Sequence, residues 1–320
     1  MSSITDKPIS LKSEDLLKVE KYSLALSNFI TRSDTPITVG LQGEWGTGKT
    51  SLMSLLLEDF NKKDIACSWV NTWEYSMFRG AAETTPAVLR GMLEKLIERC
   101  ESEGQWTLKD ESKQTMKNVG KFFTRLGNQA IANKTGLDLM DAASGDDPDA
   151  VQAEIADVKR DIKEVIQKLL DDPDNKYQRV VFFVDDLDRI PPTDAVEVLE
   201  ALKNMFDIPN CIFVLAIDYE VVVKGLESKF GEKTEENERE FRSFFDKIIQ
   251  VPFSMPTGAY TIDELMQDKL SGMGIFIPDE YKDEYAKVVA FTVGYNPRSL
   301  KRYLNSFSLL RSLRDADFAE

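Results

Sequence analysis

A chain of 320 residues can bury a full core and holds one large domain or two modest ones. Its 55 Asp and Glu outweigh 40 Lys and Arg, and a net charge of −15 argues against a dedicated nucleic-acid surface, which needs clustered cations. Histidine is absent, which excludes His-based acid–base chemistry, Ser-His-Asp triads and His-ligated zinc.

Chemistry must therefore run on carboxylates, Lys, Arg and a hard metal. Three scattered cysteines, Cys67, Cys100 and Cys211, have no C-x-x-C spacing and read as reduced thiols of a cytoplasmic protein. The first residues lack the basic flank and apolar run of a signal peptide, and no window of 18 residues is apolar enough to span a membrane.

In chain order, Ser13 to Ile30 reads as a helix capped by Ser13, within an N-terminal helical segment over residues 1–34. Ile37 to Leu41 is a short apolar strand. It enters Gly43-Glu44-Trp45-Gly46-Thr47-Gly48-Lys49-Thr50, which fits the phosphate-binding pattern G-x-x-x-x-G-K-[ST] at every fixed position. Glycines let the backbone curl with its N–H groups inward, and the helix that follows adds the positive end of its dipole. These eight residues and Ser51 are the expected nucleotide contacts. Lys49 is the cation for the β- and γ-phosphates and the Thr50 hydroxyl a Mg²⁺ ligand. Asn61-Lys62-Lys63-Asp64 matches the guanine-reading pattern N-K-x-D, but it precedes the second strand and reads as a helix C-terminus.

Ile65 to Asn71 is the second strand, and Asn71-Thr72-Trp73-Glu74-Tyr75 follows at the sheet edge where ligands bind. A helix from Pro86 to Cys100 comes next. Residues 101–150 read as a polar insertion whose Lys117, Lys121, Arg125 and Lys134 make a solvated face, before an amphipathic helix marked by Val151 to Leu169.

After Arg179, Val180 to Val184 is a continuous apolar run, the mark of a buried parallel strand, and it ends on Asp185-Asp186. Adjacent carboxylates there are costly unless they face a cation or a polar site. In a phosphate-loop protein the first acid, Asp185, holds the metal shell, and the second, Asp186, orients or deprotonates the attacking water. A helix capped by Thr193 follows. Cys211 to Ile217 is another buried strand, and Asp218 after it either senses the γ-phosphate or caps the next helix.

Ile248 to Phe253 reads as a fifth strand at a sheet edge, because Pro252 would spoil a central one. Helices at Thr261 to Leu270, Asp279 to Thr292 and Pro297 to Arg311 form a C-terminal lid over residues 257–320, leaving 35–256 as the core. Arg298 opens the last helix, where a cation works against the dipole, so it is the candidate arginine for an anion, with Arg189 second.

Strand–helix alternation gives a parallel α/β sheet of about five strands, with the strand after the acid pair lying between the two motif strands. The two motifs, with Phe213 to Asp218, Lys247 to Phe253, and Asn296-Pro297-Arg298 with Lys301-Arg302, resemble the KAP P-loop ATPases over roughly residues 15–312. The resemblance implies an ATPase domain of the additional-strand class that takes ATP and Mg²⁺. Such domains occur mostly in bacterial proteins, some of which exclude phages. Many members insert transmembrane helices between the two motifs, where this chain has the polar insertion instead. The leading expectation is an ATPase used as a conformational switch, with a protein partner or self-association. A nucleotide-binding module without turnover is the alternative, and a kinase or GTPase is disfavoured by the acid pair.

Overall fold

A computed structural model describes residues 4–77, 81–102, 159–160, 162–173, 176–205 and 207–317. The expected insertion at 103–150, with its four cations, lies outside the described residues. The protein is organised as two compact units. One comprises Met1–Phe29, Gly43–Asp59 and Ser254–Glu320, and the other Ile30–Gln42 and Phe60–Phe253.

The second unit carries the sheet. Its strands are β1 (Ile37–Gln42), β2 (Ile65–Asn71), β3 (Arg179–Asp185), β4 (Cys211–Ile217) and β5 (Val251–Ser254), in the spatial order β2-β3-β4-β1-β5. Together they make a parallel sheet flanked by helices. β4 has neighbours on both sides, and all seven of its residues are buried, so it shows no alternation of polar and apolar positions. β5 alternates half-buried and exposed residues and holds Pro252, as an edge strand can. Gln250 closes the edge beside β1. Its backbone N–H donates to Thr38 O at 3.1 Å, and its side-chain Oε1 accepts from Thr38 N at 2.6 Å.

The registers fix what stands at the C-terminal edge. Gln42 pairs with Ile217, Val184 with Leu215, and Asn71 with Asp185. β1 therefore ends where the phosphate loop begins, and β3 ends on the first acid, with β4 between them. That is the expected interleaving.

Several boundaries differ from the sequence reading, each for a local reason. The first helix is Glu20–Arg32 and not Ser13 to Ile30. Lys18 sits at φ 57°, a left-handed turn no helix passes through, and the Asp15 carboxylate accepts from Leu17 N and Glu20 N. Only a short 3₁₀ turn, Lys12–Glu14, precedes it. The helix expected to be capped by Thr193 is Pro192–Lys203. Pro192 takes a first-turn position, where its missing N–H costs nothing, and Thr193 Oγ1 donates to the Asp194 side chain at 3.3 Å.

The helix after β2 is longer than expected, Ala81–Ser102. The C-terminal helices are Ile262–Gly272, Lys282–Val293 and Pro297–Asp317. Residues 61–64 form a turn after the helix Lys49–Phe60, with Arg99 donating to Asn61. This agrees with their reading as a helix end.

Candidate phosphate loop and acid pair

In the first unit, the loop from Gly43 to Gly48 leads into the helix Lys49–Phe60. Gly46 and Gly48 adopt φ 89° and 99°, a region that favours glycine. A Cβ on Gly46 would also lie 2.7 Å from the Arg298 Cβ and 2.8 Å from the Asn296 Oδ1. Gly46 thus serves both the curl of the loop and the close seating of the last helix. Thr47 Oγ1 donates to Glu44 O at 2.8 Å and stiffens the turn.

Lys49 is buried, a costly place for an ammonium unless acceptors surround it. They do: Nζ donates to Gly43 O at 2.7 Å and to Glu44 O at 3.2 Å. Ser51 Oγ accepts from Ile9 N at 3.3 Å.

The start of the helix Pro297–Asp317 rests on the same loop. Asn296 Oδ1 accepts from Arg298 N at 3.0 Å, capping the helix, while its Nδ2 donates to Trp45 O at 2.9 Å. The Arg298 guanidinium stacks 3.8 Å from the centre of the exposed Trp45 ring. Arg298 Nε pairs with the Asp6 carboxylate. Its Nη1 is buried and has no acceptor among the described residues. Lys301 stands 3.8 Å from Asp6, and burial lowers its pKa. Two cations share one carboxylate here.

In the second unit, Asp185 and Asp186 close β3, and both are buried. Asp186 stands at φ 59°, left-handed for an L-residue, with its N–H donating to Asp185 Oδ1 at 2.9 Å. Asn71 Nδ2 donates to Asp186 Oδ2 at 2.7 Å, and Arg189 Nε pairs with Asp186 Oδ1 at 2.7 Å. Asn71 has a second task. Its Oδ1 accepts from Trp73 N and Glu74 N, capping the short helix Thr72–Ser76. Arg189 also lies 5.6 Å from the Trp73 ring centre. Asp218, left open in sequence between sensor and cap, caps the helix Tyr219–Phe230 through Glu220 N at 3.1 Å.

The donors expected for Mg²⁺ fit that ion in kind. The Thr50 hydroxyl and the Asp185 carboxylate are hard oxygen ligands, and a phosphate-bound Mg²⁺ draws only one or two from protein. The loop likewise fits phosphate in kind, since its glycines permit the positive φ values with which successive N–H groups turn toward an anion. Among the described residues no cluster of three or more Cys, Asp and Glu suggests a different metal. No described helix is long and apolar enough to cross a membrane.

The sequence reading missed three residues of this machinery. Asn71 stood in the stretch marked as a ligand edge, but its contact with Asp186 did not follow from it. Asp6, and Tyr260, whose hydroxyl donates to Thr47 O at 2.8 Å, carried no sequence signal at all.

Over 242 residues the chain is 23% identical to the "Phage T7 exclusion protein" of Escherichia coli (strain K12), covering 68% of this chain and 30% of that protein. The chain therefore spans under a third of that relative's length. A family model described as the KAP family P-loop domain matches residues 19–314, and the chain belongs to the KAP family of P-loop NTPases.

Proposed function

We propose that this chain is a Mg²⁺-dependent ATPase that uses slow hydrolysis as a conformational switch. The observation that carries this reading is Asp186. It is a buried carboxylate at the end of a core strand, held in a strained backbone by named partners. Nothing about a strand end requires that strain, and strain of this kind concentrates where a side chain must be aimed.

The residues divide the work as follows. The loop N–H groups and Lys49 bind the triphosphate, and Thr50 and Asp185 would hold Mg²⁺, which neutralises charge on the β- and γ-oxygens. Asp186 accepts a proton from water as that water's oxygen bonds to the γ-phosphorus, and the bond to the ADP oxygen breaks. Arg298 meets the charge that builds on the transferring group once it leaves Asp6. Turnover is slow because Asn71 and Arg189 already occupy Asp186. The likeness to a phage exclusion protein supports a role in antiviral defence, with a protein partner or a second copy reading the switch.

The same two contacts on Asp186 favour a second reading, a nucleotide-binding module with negligible turnover. One experiment separates them: phosphate release from ATP and GTP with Mg²⁺ by the wild type, Asp186→Asn and Lys49→Ala. The ATPase reading expects Asp186→Asn to bind ATP normally and turn over roughly 10²–10⁴-fold more slowly. Lys49→Ala should lose binding. Wild-type release no faster than Asp186→Asn leaves the binding module.

A further inference from the structure

The phosphate loop is held from outside by a residue that no motif contains. Tyr260 is buried, and its hydroxyl donates to Thr47 O at 2.8 Å. Burial raises its pKa, so the hydroxyl keeps its proton. Tyr260 lies between the 3₁₀ turn Thr257–Ala259 and the helix Ile262–Gly272, in the unit that holds the loop. Its neighbour in sequence, Thr261, donates its N–H to Leu17 O at 3.4 Å, which fixes the segment on its other side.

The geometry of one peptide unit gives this contact its meaning. The Thr47–Gly48 bond is trans, because the one cis bond among the described residues is Thr35–Pro36. In a trans peptide the C=O and the following N–H point in opposite directions. A carbonyl anchored on Tyr260 therefore aims the Gly48 N–H away from Tyr260. Gly48 at φ 99° has no Cβ, so on its side sterics resist rotation of that peptide unit only weakly, while Thr47 on the other side is tied to Glu44 O. Turned over, the peptide unit would present a carbonyl oxygen to an anion.

A Cβ on Gly48 would lie 3.8 Å from both the Tyr260 Oη and the Met255 Cε, ordinary contact distances. Crowding at the Gly48 Cβ position thus does not fix the unit, and the Tyr260 hydrogen bond is a direct hold on its carbonyl.

We propose that Tyr260 is a positioning residue of the phosphate loop, holding the Thr47–Gly48 peptide so that its N–H faces the phosphates. The proposal rests on the reading of the loop as a nucleotide site. It assigns Tyr260 to the diphosphate part common to ATP and ADP, with no part in choosing the base or in the chemical step.

The test is calorimetric titration of the wild type and Tyr260→Phe with ATP, ADP and inorganic pyrophosphate. Phenylalanine keeps the ring and removes only the donor. The expected result is about tenfold weaker binding of all three ligands, the scale of one hydrogen bond aimed at a charged group. The ATP-to-GTP preference should stay within about twofold. A tyrosine that merely packs would lower the unfolding midpoint and leave all three affinities unchanged, and that result overturns the proposal.

A second measurement needs no ligand. The ¹⁵N order parameter of Gly48 should sit near the rigid value of about 0.85 in the free wild type and fall in free Tyr260→Phe, and equal values in the two overturn the proposal. A wild type that binds none of the three ligands refutes the nucleotide site instead. The order parameter then decides on Tyr260 alone.

Discussion

Asp186 carries its role in its backbone as well as in its carboxylate. A left-handed φ of 59° costs an ordinary L-residue about 1–2 kcal/mol, less for Asp and Asn, and nothing for Gly. This reverses a usual order of stability. Asp186→Gly and Asp186→Ala both remove the contacts to Asn71 and Arg189, so only the backbone term differs between them. The glycine variant should be the more stable by about 1 kcal/mol in urea unfolding, and alanine equal or better would remove the strain from the account. Asn71 and Asn296 illustrate a second device of this scale. Each caps a helix with its amide oxygen and gives its amide hydrogens to a functional element, Asp186 in one case and the Trp45 carbonyl in the other. A carboxylate in either place could cap but not donate. Cys211, by contrast, is inert, since burial in β4 pushes its thiol up to about 12.

Among the elements, the helices Pro192–Lys203 and Tyr219–Phe230 approach each other closely at Gly225. A Cβ on Gly225 would stand 2.1 Å from the backbone oxygen of Pro192 and 2.7 Å from Val196 Cγ2. The backbone oxygen cannot step aside as a side chain can. Gly225→Ala should therefore destabilise the second unit by about 1–3 kcal/mol or more, although alanine is the better helix former. An unchanged urea midpoint would show that the helices shift apart freely. The elements themselves were largely legible in sequence. β3 and β4 are unbroken apolar runs, and Pro252 marks an edge strand, so composition alone placed them. The boundaries that moved turn on events no periodicity reports. Lys18 takes a left-handed turn because Asp15 captures two N–H groups, and Pro192 starts a helix that needs no side-chain cap.

Across the whole molecule, the site was legible where its chemistry is contiguous and hidden where it is not. The phosphate loop and the acid pair are each a run of neighbours in the chain, with residue types that few other roles demand. Tyr260 meets Thr47 across 213 positions, and Asn71 meets Asp186 across 115. No local pattern encodes contacts of that span. The family match over residues 19–314 includes residues of both units. The guanidinium of Arg298 over the exposed indole of Trp45 has an optical consequence. A charged group 3.8 Å from an indole perturbs its excited state, so the loop contains its own chromophoric reporter. Trp69 stacks on Phe183 and Trp73 lies beside Arg189. Adding ATP should draw Arg298 off the ring and change the intrinsic emission. Trp45→Phe should silence that change while ATP still binds by calorimetry. A response that survives Trp45→Phe would locate the signal at another tryptophan. With the reporter confirmed, the movement of Arg298 becomes readable in real time by stopped-flow fluorescence, without a label anywhere on the chain.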